Sequence, residues 1–119
     1  MSERQQLLER WAELEPERCK YNKREGTIEA LLGKESWCFV FFEEGGPEDD
    51  NTELLWILLG ALIEAVAARE WFYEIRRAAL EKGHTTFVHC CRAVAASPAD
   101  SLLAAYVAAL ESECGAAKP

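Results

Sequence analysis

The chain has 119 residues, of which half are apolar and 29% are charged, and this favours one globular domain spanning residues 1–119. The net charge of −8 excludes free nucleic acid as an electrostatically favoured ligand. Most of the negative charge lies in residues 1–53, which contain 14 acidic and seven basic residues.

The first predicted element is a helix over residues 2–15. Leu7, Leu8, Trp11 and Leu14 recur at helical spacing and would share one apolar face. The polar start of the sequence lacks the apolar stretch of a secretory signal peptide. We therefore expect a cytoplasmic location, in which the five cysteines stay reduced.

Two short segments precede the first predicted strand. Residues 18–24 contain four basic side chains between two glutamates, which favours a solvated connector over a nucleic-acid patch. Residues 27–32 are interpreted as one or two helical turns that end at Gly33. Residues 36–43 are rich in aromatic and β-branched side chains and predict a strand.

The stretch that follows this strand is strongly acidic. Its glycine-rich part, residues 45–47, is typical of a loop and lacks the GK[ST] sequence of a phosphate-binding loop. Charge runs are usually solvated, and the acids nearest the next helix suit its start. The remaining acids have no evident role in folding, so we predict that this stretch contacts a basic surface of a partner protein. Its six carboxylates are Glu43, Glu44, Glu48, Asp49, Asp50 and Glu53.

The longest apolar run, residues 54–68, predicts a central helix over residues 53–69. Asp50 and Glu53 approximate a capping box at its start. The run is short for a membrane span and contains Glu64, which favours a core helix. One apolar stripe would face the core, and a second stripe predicts a homodimer or a partner-binding apolar face. The second stripe consists of Trp56, Gly60, Ile63 and Ala67.

Residues 70–82 allow two interpretations. A continuation of the central helix to Lys82 would give a helix of about 30 residues, which is well above the usual length. The aromatic and β-branched residues after Glu70 favour a hairpin instead. We prefer the hairpin, with strands over residues 71–79 and 85–94.

The last predicted element is a helix over residues 98–113. Ser97 is a suitable N-cap, Pro98 suits the first helical position, and Asp100 can reach back to the cap. Together the elements predict an α+β fold, in which helices pack on a small antiparallel sheet of three strands. The order along the chain would be helix, strand, helix, strand, strand, helix.

Three motifs point to a known family. The sequence ALIEA at residues 61–65 precedes AREW at residues 68–71, and AVAASPADSLLAAYVAAL occupies residues 93–110. Residues 58–111 thereby resemble the small phage-encoded proteins that carry the phage ABA-sandwich domain. The resemblance implies a helix, hairpin and closing helix over about residues 53–114. It also implies a phage or prophage origin, and the family has no assigned activity.

The candidate residues for metal binding are His84, His89, Cys90 and Cys91, and Cys38, Cys90 or Cys91 could pair with either histidine as a catalytic nucleophile. Adjacent cysteines on a strand point to opposite faces, and the sequence has no CxxC spacing. No nucleophile elbow surrounds any cysteine. We therefore predict no catalytic site, no metal site and no cofactor.

The sequence-based hypothesis is a non-enzymatic phage-encoded protein-binding module that acts in the host bacterial cytoplasm. Its partner would be a host protein with a basic surface, without direct contact to nucleic acid or membrane. By analogy of origin, size and charge with anti-CRISPR proteins, that partner would be a nucleic-acid-handling defence protein. The alternative is a structural or accessory phage protein that acts mainly through self-association.

Overall fold

The computed structural model describes residues 3–42, 52–77, 83–89 and 91–116. Within these ranges the chain forms three helices and six strands. In chain order the elements are α1 (Glu3–Leu14), β1 (Cys19–Asn22), β2 (Thr27–Leu32), β3 (Ser36–Phe42), α2 (Thr52–Ala68), β4 (Tyr73–Arg77), β5 (His84–Val88), β6 (Cys91–Ala95) and α3 (Pro98–Ala116).

The α+β class is confirmed, and all three helices lie close to their predicted positions. The described strands form two antiparallel three-stranded sheets, and the expectation of a single sheet is corrected in this respect. Sheet A has the order β1-β2-β3, and sheet B has the order β4-β5-β6. Each strand pairs with its neighbour in sequence, so both sheets are meanders built from local hairpins.

Sheet A begins with a hairpin that the sequence interpretation missed. The interpretation of residues 18–24 as a connector and of residues 27–32 as helical turns is wrong, because β1 and β2 pair antiparallel there. Cys19, Ile28 and Ala30 are buried and alternate with more exposed neighbours. Strands β1 and β2 each contain few apolar residues. The spacing of these residues fits the two-residue repeat of a strand and the repeat of a helix equally well.

The turn between β1 and β2 carries part of the basic cluster. The Asn22 side-chain oxygen accepts hydrogen bonds from the backbone N–H groups of Arg24 at 3.1 Å and of Glu25 at 3.3 Å. Gly26 closes the turn with a φ of 65°, a conformation that glycine adopts without a steric penalty. An asparagine that bonds its own downstream backbone is a turn signal, so this hairpin was readable in principle.

Sheet B contains the predicted hairpin, and the alternative of an unbroken helix through residues 70–82 is wrong. Helix α2 ends at Ala68, and Glu70 has a φ of 57°, which turns the chain into β4. Strand β4 then pairs antiparallel with β5. The return strand predicted over residues 85–94 is divided, because His89 has a φ of 55° between β5 and β6.

Helix α3 lies at the centre of the packing. Its contacts are to sheet B through β5 and β6, and to both other helices. Sheet A in turn packs on α1 through β1 and on α2 through β2 and β3. None of the helices in the described ranges combines the length and the hydropathy needed to cross a membrane. The largest fully buried side chains are Trp11, Tyr106, Leu8, Ile28, Leu58, Leu62, Leu102 and Leu103.

A buried pair of hydroxyl groups fixes α3 on sheet B. Thr86 of β5 and Ser101 of α3 are fully buried, and their side-chain oxygens are 2.7 Å apart. The Ser101 hydroxyl also donates to the carbonyl oxygen of Pro98 at 3.0 Å. Buried hydroxyl groups need such partners, so this pair defines the position of the helix along the strand.

Candidate partner-binding site

The first turns of α2 and α3 enclose a small apolar cleft of about 160 Å³. Trp56 borders the cleft and remains 66% exposed. Tryptophan is one of the residue types enriched among the side chains that dominate the binding energy of protein–protein interfaces. The cleft is lined by Leu55, Trp56, Leu59, Ser97, Pro98 and Ala99.

The α3 side of the cleft is held by the predicted cap. The backbone N–H of Asp100 donates to the Ser97 hydroxyl oxygen at 3.1 Å, and that hydroxyl donates to the Asp100 carboxylate at 2.8 Å. Arg4 of α1 binds the same carboxylate through two hydrogen bonds, of 2.6 and 2.9 Å. The first turn of α3 is therefore fixed both to its own cap and to α1.

A larger cavity of about 280 Å³ adjoins the cleft, because Leu55 lines both. Its walls come from all three helices and from the edge strands β3 and β6. Its charged lining residues are Glu3, Arg4 and Asp100, and the last two are paired with each other. The other lining residues are Leu7, Val40, Phe41, Phe42, Leu54, Leu55, Val94, Ala95, Ala96 and Ala104.

Of the six acidic residues predicted to bind a partner, the structure describes only Glu53. It lies exposed in the first turn of α2, where the helix dipole favours negative charge. The nearest described neighbours of the acidic stretch, Phe42 and Leu54, both line the larger cavity. The remaining five, Glu43, Glu44, Glu48, Asp49 and Asp50, lie outside the described residues.

The second stripe of α2 has a mixed environment. Trp56 and Ala67 are exposed, and Ile63 is half-buried against the core. A Cβ atom added to Gly60 would lie 3.3 Å from Cδ1 of Leu32. The close approach that we expected from a second chain is thus made at Gly60 by a side chain of sheet A. The use of this stripe as an oligomer interface stays a prediction.

A buried polar cluster joins the three helices, and the sequence interpretation missed it. Glu15 is only 2% exposed and accepts hydrogen bonds from Trp11 at 3.0 Å and from Tyr106 at 2.5 Å. Its second carboxyl oxygen accepts two from Arg69, at 2.8 and 3.0 Å. Only the Trp11–Glu15 spacing of four residues is visible in the sequence, since Arg69 and Tyr106 lie 54 and 91 positions away.

The protonation states of this cluster favour a structural role. Burial and the hydrogen bond to Glu15 raise the pKa of Tyr106 above its ordinary value. Burial lowers the pKa of Arg69, but the hydrogen bonds to Glu15 and Tyr106 outweigh it and raise the pKa. The phenol therefore stays neutral and the guanidinium stays charged, which suits a fixed link between helices.

The cysteines and histidines considered for chemistry lie in separate settings. Cys19 is buried, its thiol points to the carbonyl oxygen of Leu8 at 3.7 Å, and burial raises its pKa. The His89 ring stacks on Trp71, with centroids 4.9 Å apart and planes 10° apart. No group of three potential metal ligands occurs among the described residues, which do not include Cys90.

Comparisons of the chain with known proteins add no relative. Neither a family model, nor a curated protein, nor a solved structure matches it. The functional argument therefore depends on the residues and their geometry.

Proposed function

We propose that this chain is a non-enzymatic protein-binding module that captures a basic segment of a partner protein. The observation that carries the proposal is Trp56, which is 66% exposed beside the apolar cleft. Tryptophan is enriched at the energetic centres of interfaces, because one rigid side chain buries a large apolar area. The cleft can accept an apolar side chain that the partner places against the indole ring.

The charge of the surrounding sequence selects the class of partner. Residues 1–53 carry twice as many acidic as basic side chains, and Glu53 is exposed one helical turn before Trp56. Five more carboxylates precede Glu53 between residues 43 and 50. A basic partner would be attracted over a distance and would then be anchored at the indole ring.

The resemblance to phage ABA-sandwich proteins extends this proposal to a biological setting. A phage-encoded acidic protein in the host cytoplasm would meet its basic surfaces mainly on proteins that handle nucleic acid. We therefore propose a host defence protein of that kind as the partner, and an inhibitory role similar to that of the anti-CRISPR proteins.

The anchor is tested by Trp56→Ala. The binding partner is the host protein that the wild-type chain captures. We expect its affinity for the variant to be about 30-fold weaker, which corresponds to about 2 kcal/mol at an interface centre. Phe72→Ala is the matched control, because Phe72 is 65% exposed and lies beyond the opposite end of α2. Titration calorimetry gives both affinities, and an equal loss in the two variants would refute the assignment of the anchor.

The charge is tested by the triple reversal Glu43→Lys, Glu44→Lys and Glu48→Lys. We expect slower association and a weaker dependence on salt, because the steering field is lost. The control reverses Glu17, Glu25 and Glu35, which are exposed and change the net charge equally. Unchanged binding of the first variant at low salt, with an intact circular dichroism spectrum, would show that the acidic stretch is only a linker.

The alternative function, self-association of a structural or accessory phage protein, is favoured by a different surface. Strand β3 presents an edge without charged side chains. The two functions are separated by what the chain binds: a stoichiometric host protein whose capture depends on Trp56 supports the first, and self-association alone supports the second.

A further inference from the structure

Strand β3 differs from the other edge strands of the two sheets. Sheet A ends at β1 and β3, and sheet B ends at β4 and β6. Strand β1 carries Lys20, β4 carries Glu74, Arg76 and Arg77, and β6 carries Arg92. Charged side chains on edge strands prevent unwanted pairing with other chains. Strand β3 has the sequence SWCFVFF and no such charge.

The free side of β3 is available for pairing in the described part of the chain. Strand β3 pairs with β2 on one side, and no backbone hydrogen bond from another described element reaches its other side. Val40 has no partner in the register, because Phe39 lies opposite Glu29 and Phe41 lies opposite Ile28. Val40 is therefore a β-bulge in strand β3. Residues 36–39 are therefore the regular part of this edge.

The outer face of β3 is aromatic. Trp37 and Phe39 lie opposite Leu31 and Glu29 in the register, on the face away from the buried residues of β2. Phe39 is 42% exposed, and its ring lies 5.1 Å from that of Phe42. The ammonium group of Lys20 on β1 lies 4.0 Å from the centroid of the Trp37 ring. An aromatic edge strand that itself carries no charge suits β-strand addition.

We propose that two copies of this chain associate by pairing their β3 strands antiparallel about a two-fold axis. A second copy has a net charge of −8, so it can approach closely only where the local net charge is small. Among the described edges, β3 itself carries no charged side chain, and the charges beside it on the outer face, Lys20 and Glu29, are register partners of opposite sign. The pairing is self-complementary, as two-fold symmetry requires.

The regular part of the edge and its two outer aromatic residues together select one register of pairing. Opposite residues must point to the same face, so the axis passes through a residue position. An axis at Cys38 keeps the central pairs within the regular residues 37–39 and, unlike an axis at Trp37, places Trp37 of each copy beside Phe39 of the other. It also brings the two Cys38 residues opposite each other, at a Cα separation of about 4.5–5.5 Å.

This proposal is independent of the proposed partner-binding function, and salt distinguishes the two. Two acidic copies repel each other, so salt should strengthen their association by screening that repulsion. Binding of a basic partner should weaken with salt. Because edge pairing buries a small area, we expect half-association at about 1–100 µM.

The mass of the chain tests the pairing. In sedimentation velocity over about 1–100 µM, we expect a monomer–dimer equilibrium that shifts at least about threefold towards dimer between 0.05 and 0.5 M salt. Phe39→Glu should abolish the dimer, and Phe72→Glu, which adds the same charge at another exposed phenylalanine, should leave it intact. A monomer throughout, or equal effects of the two variants, would overturn the proposal.

Cross-linking of the wild-type chain tests the register without a variant that alters the edge. A mild oxidant that accepts two electrons and two protons from a pair of thiols should join the copies through Cys38, since the expected separation suits a disulfide. Cys38→Ser should block the cross-link and Cys91→Ser should not; both cysteines are half-buried. A dimer that does not cross-link through Cys38 would overturn the pairing along β3.

Discussion

At the scale of single residues, the corner after α2 carries a conformational cost. Glu70 has a φ of 57°, in the left-handed region that side chains with a Cβ adopt at about 1–2 kcal/mol. Glycine adopts this region freely but gains about 0.5–1 kcal/mol more freedom in the unfolded chain. The two effects oppose each other, and the steric term is the larger.

We therefore expect Glu70→Gly to raise the free energy of unfolding by up to about 1 kcal/mol. Ala67→Gly is the control, because Ala67 is exposed in the last turn of the same helix. This substitution should lower the free energy of unfolding by up to about 1 kcal/mol. Urea unfolding measures both. If Glu70→Gly destabilises the fold as much as Ala67→Gly does, the corner is not strained.

At the scale of elements, α3 depends on its cap. Ser97→Ala removes the acceptor of the Asp100 N–H and a donor to the Asp100 carboxylate. We expect a loss of about 1 kcal/mol in the free energy of unfolding. Ser112→Ala, at an exposed position near the end of the same helix, should change it by less than about 0.5 kcal/mol. Thermal unfolding of the two variants measures both changes in stability. Equal stabilities of the two variants would contradict a role for the cap.

The elements that the sequence predicts best are those with local signals. The Ser97, Pro98 and Asp100 pattern marks the start of α3, and the aromatic run from Trp37 marks β3. The hairpin of β1 and β2 was missed, because its few inward residues stand among charged ones. Burial of Cys19 comes from contact with α1 and cannot be read from its neighbours in sequence.

The candidate site was predictable only in part, for a similar reason. The position of Trp56 on a second apolar stripe was evident from helical spacing, whereas its cleft depends on Pro98 and Ala99, which lie more than 40 positions later. Long-range pairs such as Glu15 with Arg69 leave no periodic signal in the sequence.

At the scale of the whole molecule, two buried groups make the free energy of unfolding fall as the pH becomes alkaline. The pKa values of Cys19 and Tyr106 are raised by burial, from ordinary values of 9.0 and 10.0. Above those values the unfolded chain loses protons that the folded chain keeps, so the unfolded state gains stability as the pH rises. The contribution of Cys19 is complete below pH 9 and that of Tyr106 below pH 10, and each is lost progressively as the pH rises above that value.

We expect the free energy of unfolding to fall by about 1.4 kcal/mol per pH unit between pH 9 and 10, and about twice as steeply above pH 10. Cys19→Ala should flatten the first part of this dependence and Tyr106→Phe the second. Each variant also loses some stability at pH 7, so the slopes are compared rather than the absolute values. Urea unfolding from pH 7 to 11 provides them, and unchanged slopes would contradict the assignment.

The link between Glu15 and Tyr106 has a consequence for the time course of synthesis. The two residues are separated by 91 positions, so the tyrosine leaves the ribosome long after the glutamate does. Until then, docking of α1 would bury the Glu15 carboxyl group without the Tyr106 hydroxyl, and before Arg69 emerges it would have only Trp11 as a partner, which is costly. Helix α1 therefore waits for α3, and the packing around α1 becomes native only after α3 has been synthesised.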